Sequence, residues 1–292
     1  MSGANSGAAG GHARARLFVW LQHVLPQHRI SRSMLRATRV RSPWFKNLLI
    51  RSFLRLFAVD MTEAVETDPY RYASFNEFFT RALRPELRPI AAGASEIACP
   101  VDGTVSECGA IDGDSLLQAK GRRYTLGELL AEQPWAPRFA GGSFATIYLA
   151  PFNYHRIHMP LAGRLLDTLY VPGRLFSVND ATAQRVPRLF ARNERVLTLF
   201  DGGLGQFAVV LVGALNVGSI ATVWAGEITP AARRTVAHIP APDTALEKGA
   251  ELGRFNMGST VILLFQAQRA EWHPQLHAGS VVRLGQALGT VR

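Results

Sequence analysis

Seven short apolar runs follow one another after Pro85, and they constrain the fold more than any other feature of the chain. Each run is four to six residues long and is bounded by glycine or polar residues, which is typical of β-strands joined by turns. Within 199–207, Gly202 and Gly203 can adopt positive φ, which predicts a hairpin loop. The sequence therefore predicts a β-rich body of short antiparallel strands, barrel-like, over residues 85–292. The runs are 144–149, 196–200, 207–212, 219–224, 261–265, 281–284 and 288–291.

The first eighty residues have a different character. Residues 1–13 are rich in Gly, Ala and Ser, which predicts a disordered tail. Residues 14–80 are predicted to be helical, with interruptions at Pro26 and Pro43. Ser74 is followed three residues later by Glu77, a capping-box spacing that predicts the start of a short helix. The fold class is therefore α+β, with a mainly β body and an N-terminal helical segment.

Positive charge is concentrated in that helical segment. The chain has 292 residues and a net charge of +10, and residues 1–60 hold ten Lys and Arg against the single acid Asp60. Nucleic acid and an anionic membrane are the two obvious partners, and apolar residues between the charges favour the membrane. An alternative stays open, in which the apolar face packs on the body. At helical spacing, one face collects Asn47, Arg51 and Arg55 and the other Phe45, Leu49, Phe53, Leu56 and Phe57.

Other classes of protein are disfavoured by what the sequence lacks. The apolar runs fall short of the roughly 18 to 20 residues that span a bilayer, and 17–21 is too short for the core of a signal peptide. We therefore expect a peripheral protein on the cytoplasmic side of the cell membrane. Cys99 and Cys108 are interpreted as small buried side chains rather than disulfide or metal ligands. No phosphate-binding loop or dinucleotide fingerprint is present.

The most informative single bond is Gly258-Ser259, directly before the apolar run 261–265. Glycine has no Cβ to block a serine hydroxyl from its own preceding carbonyl, so a bond that cleaves itself is one interpretation and an ordinary turn is the other. A second block puts Asp102 in a turn with Gly103. A third carries His155 and His158 in a loop that leaves a strand, where acid–base work is favoured over half a metal site.

Together these blocks resemble phosphatidylserine decarboxylase proenzymes of the bacterial and mitochondrial type, and the resemblance extends over nearly the whole chain. One departure is Met257, where leucine is commonest, and this exchange conserves volume. The matching segments are 21–27, 75–81, 100–103, Gln118-Ala119-Lys120-Gly121, 154–160, 189–195 and 249–260.

The resemblance implies that Asp102, His158 and Ser259 act as a triad on the chain's own backbone. Asp102 would orient His158 and favour its cationic form, His158 would take the proton of Ser259, and the alkoxide would attack the carbonyl of Gly258. The ester then undergoes β-elimination, and loss of ammonia leaves a pyruvoyl group derived from Ser259. The products would be a β chain, 1–258, and an α chain, 259–292.

The resemblance also implies the reaction and the partners. The substrate's amine would form a Schiff base with the pyruvoyl carbonyl, which accepts the electron pair released with carbon dioxide. His155 is the candidate for assisting decarboxylation or the following protonation, and phosphatidylethanolamine is the product. The pyruvoyl group is the cofactor and no metal is expected. Expected partners are phosphatidylserine in an anionic membrane and the chain's own two fragments, which pair with a second copy, but not nucleic acid.

Three alternatives come from other classes. An N-terminal-nucleophile hydrolase would make the same cut but keep a free serine amine. An ordinary serine hydrolase is disfavoured because Ser259 lacks the second glycine of G-x-S-x-G. A non-enzymatic membrane or nucleic-acid binding protein would remain a single uncut chain. The mass and chemistry of the residue that follows Gly258 separate all three from the decarboxylase.

Overall fold

The computed structural model describes residues 19–215, 219–229, 235–257 and 260–292. The predicted disordered tail 1–13, the first residues of the helical segment, Gly258 and Ser259 lie outside the described residues. The α-helices are α1 (Gln27–Thr38), α2 (Pro43–Leu56), α3 (Phe75–Phe79), α4 (Leu126–Leu130), α5 (Asp180–Ala183) and α6 (Leu189–Arg192), with short 3-10 helices at Met61–Glu63, Pro85–Leu87 and Ala136–Phe139.

The β-strands occupy most of the chain after Pro85, as the apolar runs predict. They are β1 (Glu96–Ala98), β2 (Gly103–Ala110), β3 (Ser115–Ala119), β4 (Arg122–Thr125), β5 (Ser143–Tyr148), β6 (Arg156–His158), β7 (Gly163–Val171), β8 (Arg195–Asp201), β9 (Gln206–Val212), β10 (Ser219–Thr222), β11 (Gly226–Glu227), β12 (Ala237–His238), β13 (Ala245–Leu246), β14 (Glu251–Asn256), β15 (Thr260–Phe265), β16 (Ala270–Trp272), β17 (Val281–Val282) and β18 (Ala287–Val291).

A nine-stranded sheet forms the centre of the body. Its order is β12-β7-β8-β9-β15-β5-β2-β17, with β13 also paired to β7, and neighbouring strands run antiparallel. The prediction of a mainly antiparallel β body preceded by helices is confirmed. The barrel-like detail is not, because over the described residues the sheet is open between its end strands β12 and β17. Smaller sheets are β11-β10-β14-β6, β1-β18-β16 and the hairpin β3-β4.

Strand β15 lies between β9 and β5 and is buried along its whole length. Ile262 and Leu264 face one apolar cluster, which is covered by the β3-β4 hairpin and the short helices. Val261 and Leu263 face a second cluster, which is covered by the two smaller sheets of three and four strands. A strand buried on both faces needs apolar residues at every position rather than alternation, which explains the continuous run after Thr260.

The N-terminal helices break where proline requires it. Pro26 precedes α1, and Pro43 is the first residue of α2, where a proline leaves no hydrogen bond unmade. The predicted cap of α3 is present, since Ser74 Oγ accepts a hydrogen bond from the Glu77 amide at 3.2 Å. None of the helices in the described ranges is long and apolar enough to cross a membrane.

Helix α2 presents apolar side chains on two sides. Ile50 is buried and Phe53 packs beside it against Phe75, Phe78 and Phe79 of α3. Apolar side chains also remain on the outside of the helical segment, so the alternative that this helix simply packs on the body accounts for only part of it. The exposed ones are Trp20, Leu21, Val24, Leu25, Val40, Trp44, Leu48 and Leu56.

Candidate active site

His158 ends strand β6 and lies next to β14. Its Nδ1 is 2.8 Å from the carbonyl oxygen of Gly249, and its Nε2 is 2.9 Å from the hydroxyl of Tyr154. A carbonyl oxygen can only accept, so Nδ1 carries the proton and Nε2 accepts from the phenol. Burial lowers the pKa of His158, against the opposing effect of the Gly249 contact. The imidazole is therefore neutral at pH 7, with the lone pair of a general base on Nε2.

Gly249 meets this histidine because of its own backbone conformation. Its φ is +81°, a backbone conformation that residues other than glycine rarely adopt. A Cβ at this position would lie 2.7 Å from Cγ1 of Ile90, so a larger residue would push the loop away. Gly249, the first residue of the matching segment 249–260, thus contributes the carbonyl that selects the tautomer of His158.

Asp102 sits in the predicted turn, and its close approach to β5 depends on Gly103. A Cβ on Gly103 would lie only 2.5 Å from the carbonyl oxygen of Tyr148. Asp102 is buried, and its carboxylate accepts hydrogen bonds from Arg88, from Nε at 3.0 Å and from Nη2 at 2.7 Å. It also accepts from the amide of Leu284 at 2.8 Å.

The structure therefore does not show the expected direct contact between Asp102 and His158. The carboxylate is occupied by the Arg88 guanidinium, whose Nη2 also bonds Glu63 at 2.6 Å, and the histidine Nδ1 is occupied by Gly249. Asp102 acts on His158 through space, and its charge favours the protonated imidazole, but burial outweighs this effect on the pKa. The carboxylate pairs with arginine because a guanidinium offers two parallel donors that a histidine lacks.

His155 is buried more deeply than His158. It is fully buried, its Nδ1 donates to the carbonyl of Asn153 at 2.8 Å, and the ring of Phe79 lies 4.0 Å from its own, centroid to centroid. Burial lowers the pKa of His155 to about 3. Its Nε2 is buried without a hydrogen-bond partner among the described residues. His155 is thus a neutral imidazole with an unused acceptor.

The bond predicted to break joins two different sheets. Strand β14, in the four-stranded sheet, ends at Asn256, and β15, in the nine-stranded sheet, begins at Thr260. Between them Met257 has a φ of +93°, which costs a residue with a Cβ about 1–3 kcal/mol. His155 is close to this connection, because its carbonyl accepts from the amide of Phe255 at 3.0 Å.

The side chain of Asn256, the last residue of β14, belongs to a polar network. Its Nδ2 lies 3.2 Å from the Glu227 carboxylate, and its Oδ1 accepts from Asn76 of α3 at 3.0 Å. Glu227 is also paired with Arg39, at the end of α1. The N-terminal helices therefore reach the chain just before Gly258.

The surroundings suit a small carbonyl group after Gly258. Thr260 Oγ1, like His155 Nε2, is buried without a partner among the described residues. Tyr148 pairs with both Thr260 and Thr104 across the sheet, so these three residues form one row on one face. Unused polar atoms at this end of β15 would be costly unless another polar group meets them. No group of three or more His, Cys, Asp or Glu side chains that could hold a metal occurs in the described part of the chain.

Sequence reasoning missed three contributors to the site. Tyr154 directly precedes His155 in the matching segment 154–160, so its adjacency was the available signal. Burial raises its pKa to about 12, which keeps the phenol a neutral donor toward His158. Nothing in the sequence distinguished Arg88 from the other arginines of this chain. Phe79 lies in a matching segment, but its contact with His155 depends on packing between elements far apart in sequence.

Comparison with known proteins gives one consistent result. The family model described as phosphatidylserine decarboxylase matches residues 75–290, and a second, described as PSD, matches residues 17–58. A phosphatidylserine decarboxylase proenzyme of Methylococcus capsulatus is 50% identical over 280 residues, covering 95% of this chain and 97% of the relative. Proteins with the same description are 50% identical in Azotobacter vinelandii, covering 94% and 98%, and 54% identical in Alkalilimnicola ehrlichii, covering 86% and 88%.

Proposed function

The chain belongs to the phosphatidylserine decarboxylase family, whose members are carboxy-lyases, and we propose that it converts phosphatidylserine to phosphatidylethanolamine after cutting itself at Gly258-Ser259. The observation that carries the proposal is the position of His155. This neutral histidine with an unused Nε2 adjoins the strand end that leads into Met257 and the bond itself. The description of the relatives as proenzymes supports the cut.

In the proposed self-cleavage, His158 is the base. Gly249 keeps the proton on Nδ1, so Nε2 can take the proton of the Ser259 hydroxyl once the phenol of Tyr154 turns aside. The hydroxyl oxygen bonds to the Gly258 carbonyl carbon, the peptide C–N bond breaks, and the proton passes to the departing nitrogen, which leaves an ester that still joins the two halves. They separate when Ser259 loses its α-proton and its Cβ–O bond breaks, so that Gly258 leaves as a carboxylate. Water then replaces the imine nitrogen of the former Ser259, and ammonia departs. Asp102 supports the cationic histidine by its charge. The strained φ of Met257 favours a departure from the resting backbone at this point.

A pyruvoyl group derived from Ser259 would supply the carbonyl that takes the substrate's amine and the electrons released with carbon dioxide. The chain's own contribution is placement and proton transfer. His155 is neutral at pH 7, because its pKa is about 3, so its Nε2 carries a lone pair and no proton. It can therefore accept at Nε2 the proton that the substrate's ammonium group must lose before its nitrogen can bond to carbon. The same proton can return to the substrate's α-carbon after carbon dioxide leaves, while Phe79 keeps water from the ring face of His155.

The helical segment 14–80 is proposed to hold the catalytic domain, 85–292, on the cytoplasmic side of an anionic cell membrane. Its outward apolar side chains stand among basic ones, as in Trp44 and Leu48 beside Arg51 and Arg55. Lys46 is one basic residue of this segment that does not face the membrane, because it is buried and donates to the Tyr70 carbonyl at 2.7 Å. A lipid substrate that stays in its bilayer needs an enzyme held at the surface. The fragments 1–258 and 259–292 are proposed to remain together, because β15 is a central strand, and to assemble with a second copy.

The test is the intact mass of the purified full chain. We expect two fragments that end and begin at the Gly258-Ser259 bond, with a new terminus that lacks an amine and reacts with phenylhydrazine. Ser259→Ala should stay uncut and inactive, and His158→Ala and Asp102→Asn should stall the cut. Ser280→Ala, a matched serine outside the site, should mature normally. A full-length chain after long incubation would contradict the proposal, and a fragment that begins with a free serine would favour the hydrolase.

A further inference from the structure

The segment Gln118-Ala119-Lys120-Gly121 has no part in the mechanism above, yet it is firmly anchored. The Gln118 side chain is fully buried at the end of β3. Its Nε2 donates to the carbonyls of Ala183 and Val186, at 2.7 and 2.8 Å, and its Oε1 accepts from the amide of Leu189 at 2.7 Å. A fully satisfied buried amide fixes its element strongly. The hairpin turn that follows is therefore held against the 183–189 segment.

That turn presents a lysine in an unusual conformation. Lys120 has a φ of +46° and Gly121 a φ of +77°, so two consecutive residues are left-handed. Glycine adopts this region freely, whereas a lysine there is strained. Lys120 is exposed and takes part in no hydrogen bond or ion pair within the described ranges. Lys120 and Gly121 are the two residues that join β3 to β4, and a two-residue hairpin turn requires positive φ at both. The turn therefore holds the backbone of this unpaired cation in a defined place.

Lys120 lies at a cavity of about 370 Å³. The residues that line it also include Thr104, Ser106 and Tyr148, which carry hydroxyls, and Glu107, which carries a carboxyl. Tyr148 pairs with Thr260, so this wall continues into the strand that starts directly after Ser259. A cavity of this size, with a few polar groups and one cation, matches the sites that bind small polar ligands.

We propose that this cavity binds the phosphodiester of the lipid headgroup, with Lys120 as its cationic partner. The inference rests on the proposed function and adds a binding site to it. Phosphatidylserine carries two anions near its amine, the phosphodiester and the carboxylate. A fixed cation on the carboxylate would stabilise the ground state more than the transition state, in which that charge is leaving as carbon dioxide. The phosphodiester keeps its charge throughout, so the cation can hold it without raising the barrier.

Glu107 belongs to the same wall, and burial raises the pKa of its carboxyl. Any negative charge that it keeps would weaken anion binding, so its replacement by glutamine is one of the test variants. The hydroxyls of Thr104 and Ser106 can donate to phosphodiester oxygens alongside Lys120. Cation and hydroxyl donors without a bound metal are a sufficient set for one singly charged group.

The experiment uses the matured full-length protein and two water-soluble probes without acyl chains, glycerophosphoethanolamine and glycerophosphoserine. These probes make binding independent of the helical segment. Calorimetry should show that Lys120→Met weakens binding of both probes about tenfold or more, which corresponds to about 1.4 kcal/mol. Lys120→Arg should stay within about threefold of the parent. With lipid substrate, Lys120→Met should raise KM and leave kcat unchanged, the pattern of lost uniform binding.

Two variants serve as controls. Glu107→Gln removes the carboxyl of the wall and should keep or improve the affinity. Arg123→Gln removes one positive charge from the same hairpin, where Arg123 is paired with Asp112, and should leave the affinity unchanged. Inorganic phosphate should compete with glycerophosphoethanolamine on the parent protein, a measurement that needs no variant to fold.

Unchanged affinity in Lys120→Met, or no competition by phosphate, would overturn the site. Loss of glycerophosphoserine binding alone would place Lys120 on the carboxylate and overturn the phosphodiester assignment. An equal loss of affinity in Arg123→Gln would show that Lys120→Met acts only through the net charge of the hairpin, and this would also overturn the site. A parent protein that neither matures nor reacts with phenylhydrazine would contradict the proposed function instead, so the two failures are distinguishable.

Discussion

Replacing Arg88 by methionine tests the finding that arginine, rather than His158, holds Asp102. Arg88 is 5% exposed and the Asp102 side chain 10%, so this pair is largely removed from water. Methionine keeps most of the arginine's apolar stem but removes its charge and donors. The Asp102 carboxylate would then keep only the amide of Leu284 as a partner. Leaving one member of a buried pair uncompensated costs about 3–5 kcal/mol.

The second partner of Arg88 changes this figure little. Glu63 is 25% exposed and can turn toward solvent when the guanidinium is lost, so its ion pair contributes nearer to the about 0.2–1 kcal/mol of a surface pair. We therefore expect Arg88→Met to lower the free energy of unfolding by about 3–5 kcal/mol. Adding Asp102→Leu should recover much of the loss, because a buried pair replaced by apolar groups is often close to neutral.

The assay is urea unfolding followed by tryptophan fluorescence, with every variant built on Ser259→Ala so that all chains are uncut. Arg84→Met is the matched control. Arg84 lies on the same segment but is 44% exposed, and we expect a change within about 0.5 kcal/mol. The reasoning is refuted if Arg88→Met costs less than about 1 kcal/mol. It is also refuted if His158→Ala, with Arg88 intact, destabilises the chain as much as Arg88→Met does.

Three further predictions concern His155, its cover and the membrane face. Because the pKa of His155 falls from 6.5 to about 3 on folding, the unfolded chain binds the proton that the folded chain refuses, so stability should fall as pH drops from about 6.5 toward 3. His155→Gln should flatten this slope in urea unfolding at a series of pH values, and an unchanged slope would contradict the burial argument. Phe79→Leu should lower kcat with little change in KM, and an effect on KM alone would show that Phe79 only binds substrate. Serine at Trp44, Leu48 and Leu56 together should weaken binding to anionic vesicles at least tenfold without slowing self-cleavage, whereas serine at the exposed body residues Leu166, Leu204 and Val281 should not.

The sequence was most informative where one local rule decides the outcome. Pro43 fixes the start of α2, and the Ser74 cap fixes the start of α3. Continuous apolar character from Val261 predicted a core strand because a strand buried on both faces has no polar side. Barrel closure did not follow from such signals, since it depends on strand order and stagger over the whole sheet rather than on any one run.

The candidate site shows the same division. Residue types in the blocks around Asp102 and His155 predicted which side chains carry chemistry, and these roles stay predictions. Which groups pair with which was beyond the sequence, because Asp102 meets Arg88 and His158 meets Gly249 only after three sheets have packed together. Tautomer and charge follow from those contacts, and the neutral state of His155 follows from its burial against Phe79.

One aromatic cluster links the surface of the helical segment to His155 and Met257. Helix α2 contributes Phe53, which meets Phe79 at 5.8 Å between ring centroids, and Phe79 in turn covers His155 at 4.0 Å. Met257, directly before the bond proposed to break, packs against the same cluster. The opposite side of α2 exposes Trp44 and Leu48. A bilayer that takes up this outer side would therefore lie one helix away from His155, which is the arrangement required to decarboxylate a lipid that does not leave its membrane.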